Sequence, residues 1–166
     1  MAYDRLAFVL RAAGKTDRAV AVLEDAASKG LADASLLVSL GTALQETGRL
    51  DRSAAVLETA IKMNPQDLEA KNRLGMTYAR MGRNADAEST FREALEMDRQ
   101  SAETLTNLGV LYLMTGRRGR AIATLRGAIA ADPGIRGARD KPAGAFAGVI
   151  SVAFFRHISD FASNGV

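Results

Sequence analysis

Gly14-Lys15-Thr16 has the residue types that close a phosphate-binding loop, in which the lysine reaches the outer phosphates and the hydroxyl holds magnesium. Such a loop also needs a glycine five positions before the Gly-Lys pair, because bare backbone N–H groups must wrap the phosphates. That position is Val9, and the preceding LAFVLRAA is rich in alanine and leucine, with no β-branched run to make the strand that leads into the loop. The single histidine, His157, lies on an apolar stripe, whereas acid–base catalysis requires an orienting partner and a substrate pocket beside it. Carboxylate pairs such as Asp86/Glu88 and Glu93/Glu96 read as solvated groups on the outward sides of helices. With no cysteine, disulfides, thiolate zinc sites and cysteine nucleophiles are excluded. The residues therefore predict no enzyme, no cofactor and no metal.

A search for self-similarity explains the triplet. Gly14, Gly48, Gly82 and Gly116 are each 34 residues apart, and each is followed by a basic residue: Lys15, Arg49, Arg83 and Arg117. Lys15 is thus one copy of a repeat column. Other columns keep the period. Leu40-Gly41, Leu74-Gly75 and Leu108-Gly109 align with Leu6-Ala7, and three residues further on stand Leu10, Leu44, Tyr78 and Tyr112. Ala19, Ser53, Ala87 and Ala121 form a small-residue column, followed by Leu23, Leu57, Phe91 and Leu125 and then by Ala26, Ala60, Ala94 and Ala128.

Within each copy the apolar residues recur at three- and four-residue spacing, the period of a helix face. SLLVSLGTALQETG shows it for a first helix and DRSAAVLETAIKM for a second, with Asp51 placed to cap the latter. Gly48, between the two, can take the positive φ that ends a helix. The mid-helix glycines at 41, 75 and 109 cost about 1 kcal/mol each relative to alanine, a loss that close approach of the paired helices would offset. Helices are predicted near 2–13, 16–28, 33–47, 51–63, 67–81, 85–97, 101–115 and 119–131. Alanine-rich, aromatic-poor composition without tryptophan agrees with close-packed helices.

The pattern resembles the tetratricopeptide repeat family, whose signature includes Leu-Gly-x-x-Tyr, Ala-x-x-x-Phe and a closing proline, here Pro65 and Pro133. The resemblance covers residues 1–135 as four repeats, about 1–33, 34–67, 68–101 and 102–135. It departs from the family in lacking tryptophan at the first signature column, where Tyr3, Leu37, Lys71 and Leu105 stand. It implies an all-α solenoid, a right-handed superhelix of helix-turn-helix units, whose first helices line a concave groove. Carried onto this sequence, the groove positions include Arg5, Phe8 and Arg11 in repeat one and Val38 and Thr42 in repeat two. They continue with Asn72, Arg73, Met76 and Arg80 in repeat three and Asn107, Val110 and Met114 in repeat four. An apolar floor flanked by arginines and asparagines suits an extended peptide, with amides bonding its backbone and an arginine fork taking an acidic group. The family's carboxylate-clamp pattern is not matched, since Val38, Thr42 and Met76 stand where it needs lysine and asparagine.

After Pro133 comes a Gly/Pro-rich linker, 136–144, and then a helical stripe at 145–162. The stripe predicts a C-terminal helix that caps an apolar end formed by Ile122, Leu125 and Ile129, or that pairs two copies as a homodimer. Its apolar run, 143–155, is too short for a bilayer, which takes about 20 residues. The N-terminus does not read as a signal peptide, which makes the cytoplasm the default expectation. Net charge is +3, with 14 Lys/Arg against 15 Asp/Glu in residues 1–101, well short of the basic clustering of a nucleic-acid binder. The reading is a non-catalytic protein-interaction module that binds a protein or peptide carrying an acidic group. A regulatory segment of a larger enzyme and a self-assembling structural protein stay open beside it.

Overall fold

Each copy of the 34-residue period folds as a pair of helices closed by its glycine. The computed structural model describes residues 2–133; the expected linker, the C-terminal helix with its capping and dimer roles, and His157 lie outside the described residues. Among the described residues there are eight helices and no strand, an all-α solenoid of helix-turn-helix pairs. They are α1 (Ala2–Ala12), α2 (Thr16–Ser28), α3 (Ala34–Glu46), α4 (Leu50–Met63), α5 (Leu68–Arg80), α6 (Asn84–Met97), α7 (Ala102–Met114) and α8 (Arg118–Ala131). Met1–Arg99 forms one compact unit with α1–α6, and a second unit begins at Gln100 and holds α7 and α8.

In the first unit α1 packs on α2, α3 on α4 and α5 on α6, while α2 and α4 each pack on the next first helix. The first helices also touch one another in the order α1, α3, α5. The repeated columns make this core: Ala19, Leu23 and Ala26 of α2 are fully covered, as are Leu57 and Ala60 of α4 and Ala87 and Ala94 of α6.

The mid-helix glycines mark where paired helices come closest. A Cβ on Gly41 would lie 2.5 Å from Leu57 Cγ, on Gly75 2.6 Å from Phe91 Cε1, and on Gly109 2.6 Å from Leu125 Cγ. The periodic Gly and Leu/Phe columns are thus two halves of one contact, sixteen residues apart. Leu125 is spent in that contact and is buried, so it does not belong to an open apolar end; Ile122 and Ile129 are half-buried.

Turn chemistry explains the basic residue in the third and fourth copies, where the column three residues past the mid-helix glycine is tyrosine. Gly82 has φ 77°, in the left-handed region that glycine enters without strain, and lets Arg83 N donate to Tyr78 O at 2.9 Å across the end of α5. This puts the Arg83 guanidinium 4.2 Å from the centre of the Tyr78 ring, and Arg117 lies likewise 4.6 Å from that of Tyr112. Tyr78 Oη donates to Glu58 Oε1 at 2.6 Å, joining α5 to α4. Burial, reinforced by that bond, pushes the Tyr78 phenol up to about 12.

The caps differ from expectation. Asp51 lies in the first turn of α4, one residue past the start, and Arg49 in the cap position makes no capping bond, its guanidinium pairing instead with Asp17 of α2 at 2.8 Å. Side-chain caps sit instead on the first helices: Asp33 accepts from Leu36 N at 2.8 Å, Asp67 from Ala70 N at 2.9 Å and Ser101 from Thr104 N at 3.3 Å. These three positions are 34 residues apart, a column the sequence carries but whose role depends on where the helices begin.

Candidate functional site

The row of first helices in the first unit holds two adjoining clefts. The larger, about 550 Å³, is lined along α1 by Asp4, Arg5, Phe8, Val9 and Arg11, and is closed by Ser39 of α3 and Glu69 of α5. The smaller, about 130 Å³, is lined by Arg11, by Ser35, Val38, Ser39 and Thr42 of α3, and by Asp67, Glu69 and Arg73 at α5. Arg11, Ser39 and Glu69 belong to both. Phe8 and Val9 stand 67% and 60% exposed at the larger cleft, an apolar rim that no neighbouring side chain covers.

The structure therefore brings Arg5, Phe8 and Arg11 together at one cleft and Arg11, Val38, Thr42 and Arg73 at the other. Asn72 and Met76 do not line either: they are 1% and 3% exposed, buried in the packing of α5. Asn107, Val110 and Met114 lie on α7 of the second unit, where Val110 is buried and Met114 is 53% exposed. Sequence reasoning selected no site residue from the turn before α5, yet Asp67 lines the smaller cleft while capping that helix.

Three of the expected arginines are already engaged. Arg11 Nε donates to Glu46 Oε2 at 2.9 Å while its Nη2 bonds the other oxygen, a bidentate pair across α1 and α3. That hydrogen bonding, with the further attraction of the Glu46 and Glu69 charges, outweighs burial and raises the Arg11 pKa. Arg80 Nη1 donates to the Gln45 carbonyl at 2.6 Å, tying α5 to α3. Arg73 Nη2 stands 3.5 Å from Glu69 Oε1 on its own helix. Both cross-links join residues 35 apart, one repeat plus one residue; that spacing of opposite charges could have found Arg11 and Glu46, whereas Arg80 bonds a backbone carbonyl that no residue type announces.

The tetratricopeptide repeat profile matches residues 5–67, 38–102 and 72–134 in three overlapping stretches. The chain belongs to the tetratricopeptide repeat family, whose members are generally non-catalytic modules that bind other proteins or peptides. No curated protein matches the chain in sequence. Among solved structures it is similar to TTC0263, a thermophilic TPR protein in Thermus thermophilus. The identity is 22% and the TM-score 0.75, over 96% of this chain and 88% of that one. It is also similar to YrrB, described as a TPR protein with an unusual peptide-binding site, at 24% identity and TM-score 0.72 over 96% of this chain and 73% of that one. MamA follows at 18% identity and TM-score 0.71, over 95% and 90%. At such identities the likeness concerns the fold. Among the described residues no helix is long and apolar enough to cross a membrane.

Proposed function

We propose that this protein is an interaction module whose first unit receives an extended segment of a partner protein along the face where α1, α3 and α5 meet. The observation that carries this reading is the pair of clefts that share Arg11, Ser39 and Glu69, with Phe8 and Val9 exposed at the rim. Apolar side chains left in water beside convergent polar groups are what a binding trough requires. Arg5, Phe8, Arg11, Val38, Thr42 and Arg73 are the contact residues of this reading. On the second unit, Asn107 and the exposed Met114 offer a separate contact of the same kind. An acidic group on the partner has less to hold than the sequence suggests, because Arg11 and Arg80 serve Glu46 and the Gln45 carbonyl; that preference is not carried forward.

A phage-displayed library of random peptides, selected on the full chain, tests the reading. Ser39→Arg puts a long side chain into both clefts and should abolish enrichment. Ala55→Arg, on an exposed position of α4 away from the clefts, should leave it intact. Enrichment that survives Ser39→Arg, or no enrichment by the wild-type chain, overturns the reading.

A further inference from the structure

Charge on the trough follows from which side chains are already spent. The Arg11 guanidinium is neutralised by Glu46 in a bidentate pair, so it brings little net positive charge to either cleft. Asp4 is engaged as well, and of the other charged lining residues Asp67 and Glu69 are acidic and Arg5 and Arg73 basic, so the sign felt at each point depends on which of them is open to a ligand. Asp67 gives one oxygen to the α5 cap. Glu69 is different: it lines both clefts, its side chain is 63% exposed, and its contact with Arg73 is a long 3.5 Å. In the larger cleft it shares the wall with Phe8, which is 67% exposed.

From this juxtaposition we infer that the trough selects a partner segment presenting a lysine or arginine beside an apolar side chain, the cation received by Glu69 and the apolar group by Phe8. The inference rests on the groove reading above and names the chemistry of its partner. It reverses the acidic preference that the arginine count alone suggests. Glu69 discriminates by sign: a cation gains a carboxylate there, whereas an acidic segment meets repulsion at the point common to both clefts.

The same display selection on the full chain decides it. The wild-type protein should enrich peptides with Lys or Arg next to Leu, Ile, Val or Phe. Glu69→Lys should shift the enriched charge to Asp or Glu, Glu69→Gln should remove the charge preference without reversing it, and Phe8→Ser should lose the apolar preference. For a synthetic peptide of the wild-type consensus, Glu69→Lys should weaken binding about three- to thirtyfold, the loss of one exposed ion pair and the gain of a repulsion of similar size. That loss should shrink in high salt. Since Glu69 occupies the first turn of α5, thermal unfolding of Glu69→Gln verifies that the neutral variant folds, and its selection stands if Glu69→Lys does not fold. Peptides that are blocked by Ser39→Arg but are acidic, or whose charge ignores Glu69, overturn this inference and leave the groove reading standing. No enrichment at all overturns both.

Discussion

Gly75→Ala sets two rules against each other. Alanine in place of glycine inside a helix should stabilise by about 1 kcal/mol, through a smaller loss of backbone freedom. At Gly75, however, the new Cβ would lie 2.6 Å from Phe91 Cε1 and 2.9 Å from Cδ1 and Cζ, against ordinary carbon contacts of about 3.5–4.0 Å. Phe91 is 1% exposed and its ring has no open side, so relief requires α5 and α6 to separate by roughly 1 Å along a shared face. Overpacking of that kind costs about 1–3 kcal/mol, so the net change should be a destabilisation of about 0–2 kcal/mol. Gly127→Ala is the internal control. There the Cβ meets Leu105 Cδ1 at 3.7 Å, an ordinary contact, and propensity alone should stabilise by about 0.5–1 kcal/mol. The assay is urea unfolding followed by circular dichroism, with a double-mutant cycle adding Phe91→Leu. The double variant reproduces the alanine–leucine pair that Ala7 and Leu23 make in the first repeat, and should show favourable coupling of at least about 0.5 kcal/mol. If Gly75→Ala stabilises as much as Gly127→Ala, or the cycle shows no coupling, the close-approach account of these glycines is wrong.

Two further outcomes follow from the same geometry. Asp33→Ala and Asp67→Ala should each cost about 1 kcal/mol, with hydrogen-exchange protection lost in the first turns of α3 and α5, whereas Asp51→Ala should cost less because its carboxylate makes no cap. With the Tyr78 phenol raised to about 12 in the folded chain, its contribution to stability is complete below its ordinary value near 10 and is lost as pH rises through about 12. A phenolate absorbance titration should show that late step, and Tyr78→Phe should remove it.

The fold was legible because each 34-residue copy repeats both halves of its own contacts: Gly41 with Leu57, Gly75 with Phe91 and Gly109 with Leu125. Helix ends were legible to within a residue, since Gly48 and Gly82 fix them, but caps were not. Asp51 has the right residue type beside the wrong boundary, and Asp33 and Asp67 function only because α3 and α5 start just after them. The groove was legible as a set of columns and not as a surface. Asn72 and Met76 occupy groove-facing columns, yet packing of the first helices on one another covers them and leaves Phe8 outside. Nor does a count of arginines tell which are spent, because Arg11 and Glu46 meet only once two repeats are stacked.

The cross-links at 35-residue spacing bear on how such an array can change by duplication or deletion. The turn inside each repeat is the same in every copy, a left-handed glycine followed by a basic residue, so a gained or lost copy keeps that turn, although of the turns between repeats in the first unit only that between α2 and α3 has a left-handed glycine, Gly30. The side chains across the groove do not share that interchangeability. Arg11 is followed one period later by Gln45, and Glu46 by Arg80, so Arg11 grips a carboxylate whereas the Arg80 guanidinium bonds the backbone carbonyl of Gln45. Copying the second repeat in tandem would set a second Glu46 against Gln45, turning a guanidinium–carbonyl bond into a carboxylate facing a carbonyl. Recombination can therefore preserve each helix pair while charge across the trough constrains the order of the copies.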